Sequence, residues 1–302
     1  MRWGRRLRTL LSSPSTAPYR ILGKVAPDSM WRRYADRCRQ AGLERSVFVL
    51  SFDCDTDLDI RVVEGVHERL VNMGIPPVYA VPGELLERGS DTYRRIAADT
   101  AEFMNHGYVQ HTTVDAGRTR YVSSFSYDEV GFERVATDIE EGHRAHERVL
   151  GRLPKGFRTP HFGEFQKPHQ LRFLHQTLRS LGYRYSSSTV PFEAFRRGPW
   201  RDDLGVREFP VTGCPDWPLS VLDTWGFRFA PDKMVDERDF VRQIRRLGQL
   251  METTPLFVNI YGDPSQVYDW PEFFEAVAGL SPFAVASFDG LLEVRPRGPV
   301  GS

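Results

Sequence analysis

Short apolar runs alternate along the chain with longer stretches of helical periodicity. The run 47–52 is apolar and rich in residues that favour strands, which predicts a buried parallel strand, and a polar loop at 53–57 follows it. Further strands are predicted at 77–81, 101–105, 183–189, 206–211, 256–261 and 283–287, with another beginning at Gly156. Helices are predicted at 60–72, 84–98, 127–150, 171–181, 236–251 and 271–278.

This alternation of strands and helices implies a parallel sheet, either open or closed into a barrel. The sequence has no internal repeat and no low-complexity linker, so one domain is the simplest interpretation. Several groups of polar residues fall just after predicted strands. In α/β folds, that end of the sheet carries the active site.

The composition narrows the classes of function. The 302 residues are 40% hydrophobic, which is enough to bury a substantial core. Lys plus Arg and Asp plus Glu both number 40, so no net charge favours nucleic acid or an acidic polymer as a partner. The three cysteines are scattered and predict neither a disulfide framework nor a zinc knuckle.

The N-terminal segment is basic, but its apolar runs are too short for a signal peptide or a membrane span. We therefore expect a cytoplasmic protein with a solvated leader. The alternative for this leader is a short helix that rests weakly on the anionic inner face of a membrane.

An acidic loop follows the first predicted strand. Asp53 and Asp55 flank Cys54, and carboxylates beside a buried strand repel each other and lose hydration unless a cation or an arginine offsets them. If the chain bends there, one carboxylate can bind a metal while the other stays free as a base. The same loop also resembles the nucleophile loop of haloacid-dehalogenase-like phosphatases, in which Asp53 would be phosphorylated and Asp55 would be the acid/base.

Two histidines, His106 and His111, follow the third predicted strand. Two imidazoles and one carboxylate form a ligand set that leaves an open catalytic position on a zinc-like ion. A spacing of five residues does not share a helix face, but a loop that contains Gly107 can bring the two rings together. His143 and His146 lie three residues apart on a predicted helix, where charged neighbours favour a solvated face.

A third polar group begins at Arg158, in the segment 156–162. It places a cation at a strand end, with Pro160 fixing the backbone behind it. A guanidinium next to a catalytic carboxylate would orient that carboxylate, and a structural salt bridge is the alternative.

Together, the segments SFDCD, NHGYVQH and FRTPH resemble the polysaccharide deacetylases, the NodB-like carbohydrate esterases of family four. Their order and spacing match over about 46–288. The resemblance implies that Asp53 is the general base and that Arg158 positions it. It also implies that Asp55, His106 and His111 bind the metal.

The resemblance also implies a fold and a substrate groove. The fold would be α/β, a distorted (β/α) barrel with about seven parallel strands. Pro160 and His161 would line one wall of the groove. The segment 208–217 looks like the later wall, where an aromatic side chain such as Trp217 would pack on a sugar.

Two features of the sequence depart from the family pattern. The family usually spaces its histidines four residues apart, whereas His106 and His111 lie five apart, and His161 is a substitute candidate for His111. The last catalytic segment normally ends in a histidine that acts as general acid, whereas here Asp263 occupies that place. Asp263, with a raised pKa, or Tyr261 would have to donate the proton, and Tyr261 is also a candidate substrate contact.

We therefore expect a metal-dependent hydrolase that removes the N-acyl group from an amino sugar in a glycan or glycan precursor. Its cofactor would be one divalent ion, zinc or an ion of similar ligand preference. The chain would comprise a leader with a helical segment at 1–45, a barrel at 46–292 and a tail at 293–302. The alternatives are a catalytically impaired, sugar-binding member of the same fold and, less favoured, a phosphatase that uses Lys233 as its phosphate clamp.

Overall fold

The computed structural model describes residues 16–99, 101–115, 117, 120–230 and 234–295. The first part of the predicted leader, 1–15, lies outside the described residues, as do Lys233 and most of the predicted tail, 296–302.

The strands are β1 Val47–Asp53, β2 Val78–Val81, β3 Glu102–Asn105, β4 Thr112–Val114, β5 Tyr121–Ser123, β6 Gly156–Phe157, β7 Tyr185–Ser186, β8 Arg201–Asp203, β9 Val206–Glu208 and β10 Phe257–Gly262. The helices are α1 Ala17–Val25, α2 Pro27–Gln40, α3 Asp57–Asn72, α4 Gly83–Arg88, α5 Ser90–Ala98, α6 Phe132–Leu150, α7 Pro168–Ser180, α8 Pro191–Arg197, α9 Thr224–Arg228, α10 Glu237–Thr253, α11 Pro264–Val267 and α12 Pro271–Ala278. Two 3₁₀ turns, Ser281–Phe283 and Asp289–Glu293, follow them.

Strand β1 lies inside the main sheet, and all of its residues are buried. It pairs in parallel with β10 on one side, starting at Val47 opposite Phe257, and with β2 on the other, starting at Ser51 opposite Val78. A strand that is covered on both faces and paired at both edges needs a nearly continuous apolar sequence, and 47–52 is such a run.

The main sheet has the strand order β10-β1-β2-β3-β6-β7-β9-β8, in which all strands are parallel except β8 at the edge. The sheet curls, because the segment after β9 reaches back to β10 at the opposite edge. There the N–H of Thr212 donates to the carbonyl of Asn259 at 2.9 Å. The predicted fold, a distorted (β/α) barrel with about seven parallel strands, is confirmed.

Helix α2, which lies in the predicted N-terminal segment, packs directly on the barrel. The hydroxyl of Tyr34 donates to the carbonyl of Phe257 at 2.8 Å, and Trp31 Nε1 donates to the carbonyl of Pro215 at 3.2 Å. Both aromatic side chains are buried in the main core. Within the described part of the chain, no helix combines the length and the apolar character that a membrane span requires.

Two predicted elements differ in kind from the structure. The helix predicted at 84–98 is two helices, α4 and α5, which are separated at Gly89, where ψ is +24° and departs from helical geometry. The strand predicted at 283–287 is wrong, because only Ala284 forms an isolated bridge with Phe48. The edge of β1 beyond that bridge is already paired with β2 from Ser51, so no longer ladder can form.

Candidate active site

The acidic loop lies at the carboxyl end of β1. Asp53 is the last residue of the strand, and Asp55 follows two residues later; they are only 5% and 8% exposed. Thr56 and Asp59 then form a capping box, in which each side chain accepts a hydrogen bond from the other residue's backbone N–H. This box starts helix α3 directly after Asp55 and fixes the turn that leaves both carboxylates at the end of the sheet.

The two histidines converge on Asp55 in spite of their five-residue spacing. Oδ1 of Asp55 lies 3.0 Å from Nε2 of His111 and 3.4 Å from Nε2 of His106. Ligands of a tetrahedral zinc ion at 2.0–2.1 Å are separated by about 3.3 Å, so these distances fit a shared ion. The structure therefore brings together the three residues that the sequence analysis selected as metal ligands.

The chemistry of these three residues also fits a cation. Nδ1 of His106 donates to the carbonyl of Arg158 at 2.8 Å, which leaves a lone pair on Nε2. Nε2 of both histidines and Oδ1 of Asp55 are buried and have no hydrogen-bond partner among the described residues. Burial alone would raise the pKa of Asp55, but its interactions with His111 and His106 hold that pKa well below its usual range. A buried carboxylate oxygen and two buried imidazole nitrogens without hydrogen bonds are costly unless a cation binds there.

The histidine loop, residues 106–111, is hydrogen-bonded to helix α6. Asp138 accepts hydrogen bonds from the N–H of Val109 at 2.9 Å and from the hydroxyl of Tyr127 at 2.7 Å. Gly107 has a φ of +79°, and a Cβ there would lie only 2.2 Å from Oδ2 of Asp138. Asp138 is not among the residues predicted from the sequence, although a carboxylate on the buried stripe of an amphipathic helix is a signal that could have identified it.

Helix α4 holds the same loop from the other side. The N–H groups of Gly83 and Glu84 donate to the carbonyls of Gly107 and Tyr108, each at 2.9 Å. The carboxylate of Glu84 accepts from the N–H of Gln110 at 2.6 Å. These bonds fix the backbone between His106 and His111, so the extra loop residue does not separate the two rings.

Arg158 is fully buried at the centre of the barrel end. Its Nη1 donates to Oδ1 of Asp53 at 2.7 Å, and its Nη2 donates to the hydroxyls of Ser51 at 2.8 Å and Ser187 at 3.1 Å. The guanidinium thus occupies one oxygen of Asp53. The other, Oδ2, lies 3.7 Å from Nε2 of His106, beside the three candidate ligands.

A second group of acids lies at the end of β10. Tyr261 donates from its hydroxyl to Oδ2 of Asp223 at 2.8 Å, and Asp223 also caps helix α9 through the N–H of Gly226. Asp263 follows β10 and accepts a short hydrogen bond from Gln266. Asp223 is not among the residues predicted from the sequence, because it lies in an irregular segment and reaches the site through an isolated bridge to Tyr261.

Burial and mutual repulsion raise the pKa values of the acids in this part of the site. Burial, followed by the charges of Asp55 and Asp59, raises the pKa of Asp263 well above its usual range. Burial raises the pKa of both Asp59 and Asp223 to about 6. The excess of carboxyl groups is a further reason for a cation at this end of the barrel. A protonated Asp263 is also a group that can give up a proton.

Two of the predicted wall residues, Pro160 and His161, closely follow Arg158 in the chain. Pro160 is buried, and His161 next to it has a φ of +57°. Nε2 of His161 lies 3.1 Å from the carbonyl of Phe125, so this nitrogen carries a proton, and its ring packs edge-on against His111 with centroids 5.0 Å apart. Burial and the nearby His111 lower the pKa of His161 to about 3, which keeps the ring neutral.

Trp217 is 39% exposed and lies in the turn between Cys214 and Ser220. Asp216, beside it, donates from its N–H to Gln243 on helix α10 at 2.9 Å, and the carbonyl of Pro215 accepts from α2. The turn that carries Trp217 is therefore anchored to two helices.

The expectation for His143 and His146 is wrong for His146. This ring is fully buried, with Nδ1 2.9 Å from the carbonyl of Gly142 and Nε2 3.1 Å from that of Met104. Helix α6 presents this position to β3, so the charged residues nearby occupy other faces. His143 is only partly buried and lies 3.2 Å from the hydroxyl of Tyr183.

Several solved structures have a fold similar to that of this chain. No family model matches the sequence, and a comparison with curated proteins finds no relative. Among solved structures, the chain is similar to a protein from Mycobacterium smegmatis assigned as a polysaccharide deacetylase. That likeness has a TM-score of 0.59 and 18% sequence identity and covers 86% of this chain and 95% of the other.

A protein from Pseudomonas aeruginosa with the same assignment has a TM-score of 0.58 and 12% identity, covering 82% of this chain and 86% of that one. PuuE allantoinase has a TM-score of 0.56 and 12% identity, with 82% and 85% covered. These likenesses show that the chain has the polysaccharide deacetylase fold, as the motifs predicted.

Proposed function

We propose that this protein is a metal-dependent deacetylase that hydrolyses the N-acyl group of an amino sugar in a glycan or glycan precursor. The observation that carries the proposal is the convergence of Asp55, His106 and His111 beside Asp53, which Arg158 holds through one oxygen. A cation site and an adjacent unliganded carboxylate are the two parts that hydrolysis of an amide needs.

Asp55, His106 and His111 would hold the ion, and zinc suits a set of two imidazoles and one carboxylate. When bound, such an ion lowers the pKa of water and polarises the amide carbonyl. Neighbouring residues of the chain orient the ligands through hydrogen bonds. The hydrogen bond from His106 to the Arg158 carbonyl fixes the ring and its tautomer, and Thr112 donates to Oδ2 of Asp55 at 3.2 Å.

Asp53 is proposed as the general base. Its Oδ1 is occupied by Arg158, whereas Oδ2 faces the histidines and can accept a proton from the attacking water. Among the described ion pairs, Asp53 is the one carboxylate that Arg158 contacts. Arg158 is therefore a positioning residue for that base.

The proton that leaves with the amine must come from another group. Asp263 is proposed as the donor, because burial and the neighbouring carboxylates raise its pKa well above the usual range, which favours the protonated form. Tyr261 is the second candidate, but its hydroxyl proton is already donated to Asp223. Tyr261 lies near the end of β10 and Asp263 directly follows the strand, where the resemblance implies the general acid.

The substrate is proposed to be a carbohydrate bound between the walls that carry Pro160, His161, Trp217 and Tyr261. Aromatic faces pack on sugar rings, and Trp217 and Tyr261 offer such faces. The allantoinase likeness shows that a protein of another named activity has a similar fold, so the substrate must be tested directly.

The test is a screen for acetate release from N-acetylated sugar nucleotides, glycolipids and oligosaccharides, with and without a chelator. We expect release that the chelator abolishes and zinc restores. Asp53→Asn should abolish turnover while keeping the metal, and His169→Gln, which changes an exposed histidine, should retain wild-type activity. Wild-type turnover in Asp53→Asn would refute the assignment of the base.

The same screen separates the alternatives. An impaired sugar-binding protein would bind a screened glycan without releasing acetate. A phosphatase would release phosphate from phosphorylated substrates, but that function leaves the buried histidine pair on Asp55 unexplained.

A further inference from the structure

A two-stranded hairpin, β4 and β5, begins directly after His111, one of the three candidate metal ligands. Its first residue, Thr112, follows His111 and donates to Oδ2 of Asp55 at 3.2 Å. On the returning strand, Oγ of Ser123 lies 3.0 Å from Nε2 of His161. The root of the hairpin is therefore fixed on the side of the site that carries the ligands.

Tyr121 on this hairpin reaches the opposite side of the site. Its hydroxyl lies 3.1 Å from Oγ of Ser265, which is two residues beyond Asp263. Its ring packs against Phe229 with centroids 4.9 Å apart, and Phe229 directly follows helix α9, which Asp223 caps. Tyr121 thus connects the side with the ligands to the side with the proton donor.

A second aromatic contact, beside the guanidinium of Arg158, joins the loop after β6 to strand β10. Phe162 packs against Tyr261 with ring centroids 4.5 Å apart, and the guanidinium carbon of Arg158 lies 5.2 Å and 5.6 Å from the two rings. The two carboxyl groups proposed to react are almost inaccessible to solvent. Asp53 is 5% exposed and Asp263 is 8% exposed.

We propose that this site accepts an N-acylated amino sugar only as a single sugar or as the terminal unit of a glycan, and that Tyr121 determines this specificity. The inference rests on the proposed deacetylase function. An internal unit of a polymer must leave the site along the chain in two directions. Contacts that join opposite rims on two sides remove such exits, whereas a terminal unit needs only one.

The first experiment uses the zinc-loaded full chain and β-1,4-linked oligomers of N-acetylglucosamine from the monomer to the pentamer. Mass-spectrometric sequencing locates each unit that loses its acetyl group. We expect loss at a chain end, with loss from central units of the pentamer slower by about a hundredfold. Equal rates at terminal and central units would overturn the inference.

Variants of the hairpin give this experiment its control. Tyr121→Ala should raise the ratio of central to terminal deacetylation by about tenfold. Tyr121→Phe, which keeps the ring on Phe229 but loses the hydroxyl, should raise it less. Val122→Ala changes the neighbouring side chain, which is 41% exposed, and should leave the ratio unchanged. An unchanged ratio in both Tyr121 variants would show that Tyr121 does not set the specificity.

A binding measurement separates failure of this inference from failure of the proposed function. Saturation-transfer NMR with the pentamer and Asp53→Asn reports which sugar units contact the protein without turnover. Saturation confined to a terminal unit supports the inference even if no acetate is released from any oligomer, in which case only the proposed function fails. Saturation spread over central units, or no binding of any oligomer, overturns the inference.

Discussion

Nη1 of Arg158 donates to Oδ1 of Asp53 at 2.7 Å, and both side chains are buried at the end of the barrel. The pair links β1 to the segment after β6, which are separated in the sheet by β2 and β3. It also decides which oxygen of Asp53 faces the histidines. The geometry of the proposed base therefore depends on a residue more than a hundred positions away.

Arg158→Ala should destabilise the protein strongly, because it leaves the carboxylate of Asp53 buried without its partner. We expect a loss of about 3–5 kcal/mol in the free energy of unfolding, measured by urea denaturation. The control is Arg184→Ala, which removes an exposed arginine from Asp289 and should cost less than about 1 kcal/mol. Similar losses in the two variants would contradict the role given to the buried pair.

Gly107→Ala should weaken metal binding as well as stability. The φ of +79° and the close approach of Asp138 both oppose a Cβ, so the loop between the histidines must shift. Gly74→Ala is a matched control, since Gly74 has a φ of +76° but no heavy atom near its Cβ position. We expect about 1–2 kcal/mol of destabilisation for Gly74→Ala, more for Gly107→Ala, and weaker zinc binding by calorimetry only in the latter.

Asp263→Asn should lower kcat by about 10²–10⁴-fold with little change in zinc content, because an amide cannot give up the proton that the leaving amine needs. Tyr261→Phe removes the hydrogen bond to Asp223 but keeps the ring, and a smaller loss is expected. Steady-state kinetics of both variants decide the donor. A larger loss in Tyr261→Phe would assign the proton to the tyrosine.

Much of this site could be predicted because its main residues follow apolar strands. Asp53 is the last residue of β1, and His106 and Arg158 directly follow β3 and β6. Parallel strands end at the same edge of a sheet. Asp223 and Asp138 could not be placed in this way. Asp223 lies in an irregular segment, and the position of Asp138 depends on how helix α6 packs under the histidine loop.

The fold, like the site, could be predicted from the sequence only in part. The buried run at β1 and the alternation of strands and helices were sufficient to predict the parallel sheet. The break at Gly89 and the missing strand after Phe283 depend on local backbone angles and on which strand edges are already paired. The spacing of apolar residues along the chain predicts neither the break in the helix nor the absence of the strand.

The stability of the protein should depend on the protonation of His175. Its ring lies between Oδ2 of Asp203 at 3.1 Å and Oε2 of Glu208 at 3.3 Å. Burial alone would lower the pKa of His175, but the two carboxylates outweigh it and raise the pKa above its usual value. Protonation therefore favours the folded state. The stabilisation is complete below the unfolded-state pKa of about 6.5 and is lost as the pH rises through the higher folded-state pKa.

We accordingly expect the difference in unfolding free energy between wild type and His175→Gln to be larger at about pH 6 than at about pH 9. Urea denaturation at both values measures it. His169→Gln, at an exposed position, should show no such trend. A difference for His175→Gln that grows toward alkaline pH would mean that the ring is held neutral.

The most direct measurement is an anomalous difference map from crystals grown with zinc, with data collected on both sides of the zinc absorption edge. The account predicts a single strong peak at about 2.0–2.1 Å from Oδ1 of Asp55 and from Nε2 of His106 and His111, with Asp53 outside bonding distance. A peak bound elsewhere, or no peak at this group in zinc-loaded crystals, would contradict it.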